Sequence, residues 1–295
     1  MDLPLMFHLQ GYFETRGRSQ RLFQYAPAET VRLADALLDF ITNLFQGCVD
    51  GFLPCDTAFH DLNHTLEATN VVLDLLAVHR ENPEFTPFRE SDRLLVFAAV
   101  LFHDTGYLKR TGDREGSGAK YSAIHVGRSC FLAWDFLPGF GFTPDEIRQV
   151  QNAICATAVT ARLDQLPFRN VREWLIAAII VTGDMLGQMA APDYPERLPS
   201  LYLEFREAGA FSRFRNSSFG AYQSLQDLLA GTEKFFYRHV LPTLDTELRG
   251  VYRLLTDGSG YNAYLDQMRI NVARVSGMAK LLADANAGTV LPHRT

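Results

Sequence analysis

The feature that most constrains this chain is an apolar run that ends in a histidine and an aspartate. The nine residues from Leu94 to Phe102 are all apolar, and His103 and Asp104 follow directly. An imidazole and a carboxylate at the buried end of a helix are unstable unless a partner satisfies them. A divalent metal ion satisfies both groups at once. The run therefore indicates a buried helix that delivers two metal ligands.

Two other segments place ligand-type residues beside apolar helices. His60 and His64 are four positions apart, which puts both side chains on one face of a helix predicted over about residues 59–78. Asp184 interrupts a further apolar segment. Two nitrogen and two oxygen ligands suit zinc, iron or manganese, with magnesium possible at a neighbouring site. The sequence predicts one shared metal site formed by His64, His103, Asp104 and Asp184.

Helical periodicity dominates the sequence, without an alternating strand pattern of convincing length or an internal repeat. Apolar residues recur at helical spacing over Val31–Leu44, and Gly47 follows as a C-terminal stop. Residues Thr143–Glu146 form a capping box with proline at the first helical position. Ser91 and Asn170 can cap the two helices that carry the other predicted ligands. The fold class is therefore predicted to be all-α.

No long linker divides the chain, so one compact helical domain in three stretches is predicted. Residues 1–50 form an N-terminal helical segment that packs on the core, and residues 51–195 form the metal-binding core. Residues 196–295 form a C-terminal helical extension that completes the substrate pocket. Polar loops are predicted at 110–120 and 213–218. Helices of the extension are predicted over about 200–207, 221–241, 243–255 and 262–285.

Composition limits the binding partners and the cellular compartment that can be expected. The net charge is −6 and no Lys/Arg cluster is present, which argues against a nucleic-acid partner. The start of the chain lacks a signal-peptide pattern, and the apolar runs are shorter than the roughly 18 residues of a membrane span. The four cysteines form no C-x-x-C motif, so reduced thiols and a cytoplasmic location are expected.

The order of the predicted ligands resembles the HD-domain metal-dependent phosphohydrolase superfamily. In addition, Phe59–His64 looks like the Tyr-His-Asn-x-x-His motif of the class I cyclic-nucleotide phosphodiesterases. The resemblance covers about residues 59–188 and implies an HD-domain helical bundle with a C-terminal extension. It implies that His60 is the general acid and that His64 is a ligand of one or two divalent ions.

The same resemblance assigns roles to the remaining ligand residues. Asp104 would bridge two metal ions, and Asp184 matches the aspartate that closes the site. His125 falls where such families often place a histidine near the second metal. The ligand set and its roles are thus expectations that the family likeness implies.

Four further residues are candidates for substrate binding. Phe235 and Pro242 keep the spacing of the phosphodiesterase helix whose phenylalanine clamps the base, although Phe235 can equally be a core aromatic. Lys109 and Lys120 border the glycine-rich loop and can hold phosphate, with a solvated charged surface as the alternative. Gln188, at the end of the core segment, is the fourth candidate.

Two departures from the family patterns bear on the expected function. Thr232 stands where the family has its base-reading glutamine, which puts cyclic-nucleotide specificity in doubt. No histidine lies near residues 155–157, where dinuclear HD oxygenases have one. This absence argues against a tightly held di-iron site.

The expected function is hydrolysis of a phosphoester of a nucleotide or related small molecule, with 3′,5′-cyclic-nucleotide phosphodiesterase as the leading version. Metal-bound hydroxide would attack phosphorus, and His60 would protonate the departing oxygen. An acidic neighbour such as Asp61 or Glu67 is expected to keep His60 protonated. An HD-type di-iron oxygenase and a non-catalytic nucleotide or metal sensor are the alternatives.

Overall fold

The computed structural model describes residues 3–82, 86–211 and 222–288, and most of these residues are helical. Within those ranges the only β-type pairing is an isolated bridge between Phe52 and Arg110. The predicted all-α class is confirmed. The described residues form ten α-helices: Leu3–Phe23 (α1), Ala28–Phe45 (α2), Leu62–Glu81 (α3), Glu90–Phe102 (α4), His125–Phe136 (α5), Pro144–Cys155 (α6), Val171–Ala190 (α7), Tyr194–Phe211 (α8), Leu225–Phe235 (α9) and Ala263–Gly288 (α10).

The core is built around α3, α4 and α7. Every residue from Leu95 to Phe102 in α4 is buried, as the apolar run predicts. Helices α3 and α7 approach each other closely, and two glycines of α7 permit this. A Cβ at Gly187 would lie 2.7 Å from the backbone of Ala68 in α3, and a Cβ at Gly183 would lie 2.3 Å from a methyl group of Val72.

The remaining helices surround this centre. Helices α1 and α2 pack against α3 and α4, and α5 and α6 pack against each other and α4. Helix α10 lies along both α7 and α9, while α8 contacts the 3-10 turn Gly118–Tyr121. These contacts join residues 51–195 to residues 196–288 among the described parts of the chain. The division into three stretches stays a prediction.

Several predicted helix boundaries are found in the structure. Asn170 accepts hydrogen bonds from the amides of Arg172 and Glu173 and so caps α7. The predicted capping box at Thr143–Glu146 begins α6. Gly47 follows the end of α2 with a φ of 72°, in the left-handed region that favours glycine.

Several helix starts were predicted wrongly; α8, predicted over about 200–207, extends over Tyr194–Phe211. Helix α4 begins at Glu90, before Ser91, because the carboxylate of Asp92 accepts the Arg89 amide at 2.7 Å and fixes the first turn. Helix α3 begins at Leu62 because Asp61 is extended and accepts the His64 amide at 3.0 Å.

The C-terminal extension is less regular than predicted. The prediction of one helix over 221–241 and another over 243–255 is wrong. Helix α9 ends at Phe235 and is followed by π-helical turns at Phe236–Val240 and Thr243–Glu247 and a 3-10 helix at Val251–Leu255. The loop predicted at 213–218 lies outside the described residues.

Helix α7 is long and apolar enough to cross a membrane by length and composition. However, 78% of its most apolar 18-residue stretch is buried inside the fold. Such burial is typical of the core helix of a soluble protein.

Candidate metal centre

The four predicted ligand side chains meet at one buried point. His64 Nε2 lies 3.2 Å from Asp104 Oδ2 and 3.2 Å from Asp184 Oδ1. His103 Nε2 lies 3.4 Å and 3.6 Å from the same two oxygens. His64, His103 and Asp104 form a buried group that could hold a metal ion, and the Asp184 carboxylate borders it.

Helix packing brings these groups together from distant parts of the chain. His64 lies in the first turn of α3, and His103 and Asp104 directly follow α4. Asp184 lies within α7, three residues before Gly187. The close contact that Gly187 makes with α3 therefore sets the distance between Asp184 and His64.

The donor atoms fit a divalent cation. The Nδ1 of His103 lies 2.7 Å from the carbonyl oxygen of Val100. A carbonyl can only accept, so Nδ1 carries the proton and the lone pair of the neutral ring is on Nε2. Among the described residues His103 Nε2 has no hydrogen-bond partner, although it is buried. A cation between this nitrogen and the two carboxylates would satisfy it, and a carbonyl bonded to the other ring nitrogen is the usual support of a metal-ligating histidine.

The electrostatics of the group agree with this fit. Burial lowers the pKa of His64, but hydrogen bonds and charges from Asp104 and Asp184 outweigh it and raise the value to about 10. The pKa of His103 is also raised, because the same carboxylates overcome its burial. Burial raises the pKa of Asp104, but the neighbouring imidazoles hold it well below its ordinary value. The pocket thus requires positive charge between two carboxylates.

A fifth ligand-type residue faces the other oxygen of Asp104. His125 begins α5, and its Nδ1 lies 2.7 Å from the Ser122 carbonyl oxygen, which leaves Nε2 as the acceptor. His125 Nε2 lies 3.6 Å from Asp104 Oδ1. Burial lowers the pKa of His125, so its ring is neutral at pH 7. Asp104 therefore presents one oxygen to His64 and His103 and the other to His125.

His60 lies beside this group but does not share a helix face with His64. It precedes α3, in the turn before the capping Asp61, so the prediction of a common helix is wrong. The two imidazole rings are nevertheless only 5.6 Å apart between centroids. The turn, rather than helical spacing, brings His60 to the predicted ligands.

The partner of His60 is Glu204 of α8, which the sequence did not indicate. Glu204 Oε2 lies 2.6 Å from His60 Nδ1, and its Oε1 accepts the Phe59 amide at 2.7 Å. A carboxylate can only accept here, so Nδ1 carries the proton. Burial raises the pKa of Glu204, but the charge and hydrogen bonds of His60 outweigh it and keep the value below normal. The two residues are 144 positions apart, and no local pattern links them.

The residues first expected to pair with His60 bind an arginine instead. Arg197 of α8 donates to Glu67 Oε2 at 2.9 Å and to Asp61 Oδ1 at 3.2 Å. It also donates to the Phe59 carbonyl oxygen at 2.7 Å. The expectation for Asp61 or Glu67 is therefore wrong, and Arg197 instead fixes the turn that contains His60.

An aromatic ring separates the two histidines that flank the ligand group. Tyr107 stacks on His60 with a centroid distance of 4.6 Å and on His125 at 4.5 Å. It is buried, and burial raises the pKa of its hydroxyl well above the ordinary value. Tyr107 therefore holds both imidazoles in fixed planes and stays uncharged. A tyrosine three residues after Asp104 carries no ligand pattern, so the sequence does not single it out.

The two candidate lysines bind the glycine-rich loop. Lys109 pairs with Asp56 at 2.7 Å and donates to the Gly116 carbonyl oxygen at 2.7 Å. Lys120 pairs with Asp113. Each lysine side chain is only 9% exposed, so the solvated-surface alternative is wrong. Their charges are neutralised by Asp56 and Asp113, which leaves neither as a ready phosphate ligand.

The other two residues predicted to bind substrate, Gln188 and Phe235, lie in different surroundings. Gln188 is half-buried and lies one helical turn after Asp184, on the same face of α7. Phe235 is 38% exposed and stacks on His239, whereas its neighbour Phe236 is fully buried. The core alternative for Phe235 is therefore wrong, and its base-clamp role stays a prediction.

The chain was compared with protein-family models and with curated proteins. A family model described as Npun_R2479-like matches residues 146–276. No curated protein matches the chain. The matched stretch is less than half of the chain and includes Asp184, Arg197 and Glu204, whereas His64 and the His103–Asp104 pair precede it. The chain is thus similar to this family over helices that frame the site.

Proposed function

We propose that this chain is a metal-dependent phosphohydrolase of the HD-domain type that cleaves a phosphoester of a nucleotide or a related small molecule. One observation carries the proposal. A ligand group of two imidazoles and two carboxylates lies beside His60, whose ring is fixed by the buried carboxylate of Glu204. A set of metal ligands together with a separately held proton donor is the equipment of a metal-assisted hydrolase.

The chain would hold its cation through a defined set of atoms. When bound, a divalent ion such as zinc, iron, manganese or magnesium activates water and neutralises charge on phosphoryl oxygens. Asp104 Oδ1 and His125 Nε2 supply donors for a second ion. The first ion would be held by His64, His103, Asp104 and Asp184.

His60 is the proton donor in this proposal. The Glu204 carboxylate accepts from Nδ1 and compensates the positive charge of the imidazolium. The opposite nitrogen, Nε2, can then donate its proton to the leaving oxygen, which typically contributes about 10²–10⁴ in rate. Binding alone needs no such donor, and this favours an enzyme over a sensor.

The proposed substrate class follows from the site and from its differences from the phosphodiesterase pattern. Thr232 is 3% exposed and donates to the Leu228 carbonyl oxygen at 2.9 Å, so it offers no group to a base. The proposal therefore covers small phosphoesters generally, with 3′,5′-cyclic nucleotides as the first diesters to test. A cytoplasmic location is part of the proposal because all four cysteines are free thiols.

The test combines elemental analysis of the purified protein with a panel of phosphoester substrates. We expect bound divalent metal and phosphate-ester cleavage in the wild type, and loss of both in Asp104→Ala. His60→Ala should retain metal but lose about 10²-fold or more in kcat. His239→Ala, a half-buried histidine in the π-helical turn, is the matched control and should retain both metal and kcat; because its ring contacts Phe235, KM is left out of this comparison.

The other outcomes separate the alternatives. Oxygen uptake with iron(II) and no ester cleavage would indicate an oxygenase, and metal binding without turnover of any substrate would indicate a sensor. A wild-type protein that binds no divalent metal would refute the proposal.

A further inference from the structure

Two cysteines from neighbouring helices, α5 and α6, lie close together. Cys130 lies in α5 and Cys155 is the last residue of α6. Their Sγ atoms are 3.6 Å apart, and Cys130 Sγ also lies 3.5 Å from the Gln151 carbonyl oxygen. Both residues are half-buried, so part of each remains accessible to a small solute. The proposed phosphohydrolase function uses neither residue.

We propose that Cys130 and Cys155 form a redox-active dithiol that a hydroperoxide closes to an intramolecular disulfide. A disulfide bond is about 2.05 Å long, so the two sulfurs must approach by about 1.5 Å. Rotation about the side-chain bonds and a small shift of α5 against α6 supply such a movement. The inference stands apart from the proposed function because it concerns different residues and a different reaction.

The hydrogen bond between the thiols makes them chemically unequal. The bond from Cys130 lowers the pKa of Cys155 to about 7, so a large part of this thiol is thiolate at neutral pH. The same bond, together with burial, raises the pKa of Cys130. A low-pKa thiolate beside a second thiol is the arrangement found in redox-sensing cysteines. In contrast, burial raises the pKa of Cys55 to about 12, which leaves that thiol inert.

The reaction balances with hydrogen peroxide or an organic hydroperoxide as oxidant. The Cys155 thiolate attacks one peroxide oxygen, which breaks the O–O bond, forms a sulfenic acid and releases hydroxide or alkoxide. The Cys130 sulfur then attacks the sulfenic sulfur, and the Cys130 proton leaves with the hydroxyl group as water. The two thiols lose two electrons, and the peroxide gains them. The proton first lost from Cys155 neutralises the released anion.

The dithiol is connected to the candidate metal centre through the residues that precede Cys130. Ser129 Oγ accepts the Gly106 amide at 2.8 Å. Arg128 donates to the carbonyl oxygens of Gly106 at 2.6 Å and Leu108 at 2.7 Å. The turn after Asp104 is therefore held by α5. A disulfide that draws Cys130 toward α6 would move these contacts and with them the turn.

The first test maps disulfides in the full-length protein. After stoichiometric hydrogen peroxide, we expect a mass loss of two hydrogen atoms and one cross-linked peptide pair that contains Cys130 and Cys155. Dithiothreitol should reverse both changes. Cys130→Ser and Cys155→Ser should each abolish the cross-link, whereas Cys48→Ser, which changes an exposed cysteine, should leave it intact. Iodoacetamide labelling of Cys155 should rise with a midpoint near pH 7, as its pKa requires.

Two results would overturn the inference. One is oxidation of Cys48 in preference to this pair, and the other is conversion of Cys155 to sulfinic acid without cross-linking in the wild type. The link to the metal centre has its own readout, because cobalt(II) affinity should fall about tenfold on oxidation and recover on reduction. An unchanged affinity in fully cross-linked protein would refute that link. None of these measurements requires a substrate, so they are independent of the proposed hydrolase activity.

Discussion

Replacement of Gly187 by alanine tests whether the contact between α3 and α7 holds the ligands in place. The added Cβ would lie 2.7 Å from both the N and Cα atoms of Ala68 and 3.0 Å from the Glu67 carbonyl carbon. These are backbone atoms, so no side chain can rotate away. Carbon atoms pack at about 3.5–4.0 Å, and α7 must therefore move away from α3 by roughly 1 Å.

The displacement should affect both stability and metal binding. Overpacking of this kind costs about 1–3 kcal/mol, equivalent to a fall in Tm of about 2–12 °C in a large domain. His64 lies four residues before Ala68, and Asp184 lies three residues before Gly187. Separation of the helices thus lengthens the 3.2 Å approach of His64 Nε2 to Asp184 Oδ1. We expect metal affinity to fall about 10–100-fold, as when a supporting contact of a metal site is lost.

Gly277→Ala in α10 is the matched control. A Cβ at Gly277 meets nothing within 4 Å, so this change keeps only the helix-propensity gain of up to about 1 kcal/mol. Urea unfolding followed by circular dichroism gives the stability of each variant, and cobalt(II) titration gives the affinity. If Gly187→Ala matches Gly277→Ala in stability and retains wild-type affinity, the argument from helix contact is wrong.

Three further variants probe single interactions. In Glu204→Gln, an amide NH₂ placed toward His60 Nδ1 cannot accept a hydrogen bond from it. The kcat should therefore fall about 10²-fold or more, with metal content unchanged. Activity within a few-fold of wild type would show that Glu204 does not support His60 as the proton donor. Asp104→Asn should lower cobalt(II) affinity and Tm measured with saturating metal, and equal affinity would contradict the ligand assignment. Glu173→Gln should lower Tm at neutral pH because it removes the ion pair with Arg148. Burial raises the pKa of Glu173, but Arg148 holds it below its ordinary value of 4.5. The stability that this ion pair contributes is therefore present above pH 4.5 and is lost as the pH falls through the folded pKa. The Tm difference from wild type should therefore shrink in acid, and a constant difference from pH 7 to pH 3 would contradict the assignment.

The sequence predicted the fold class and the ligand group because both depend on local patterns. The apolar run before His103 is buried, and Asn170 caps the helix that carries Asp184. A buried polar residue within an apolar helix is visible in sequence, since period and polarity can be read directly. Helix α1 was not singled out by this approach, because its apolar residues have no clear periodic stripe.

The supporting residues could not be predicted because they depend on tertiary contacts. The side chain of Asp61, one position after His60, caps the start of α3, whereas spacing alone indicated a continuous helix from about residue 59. Glu204 reaches His60 from α8, and several acidic residues nearer in sequence were equally suitable. Lys109 had the right charge for phosphate, but the position of Asp56 beside it is set by the fold.

Under the proposed function, the wide separation of the candidate ligands would tie metal supply to the fate of the whole protein. Because the candidate donors come from α3, the end of α4 and α7, an unfolded chain has no assembled site and would bind the ion only weakly. Mass action by the metal would then favour the folded form over every partly unfolded one. A cell that runs short of the ion would lose the polypeptide itself to degradation, and not merely its turnover. A piece confined to residues 146–276 would carry Asp184 and Glu204 without either histidine ligand, and it would gain no such protection.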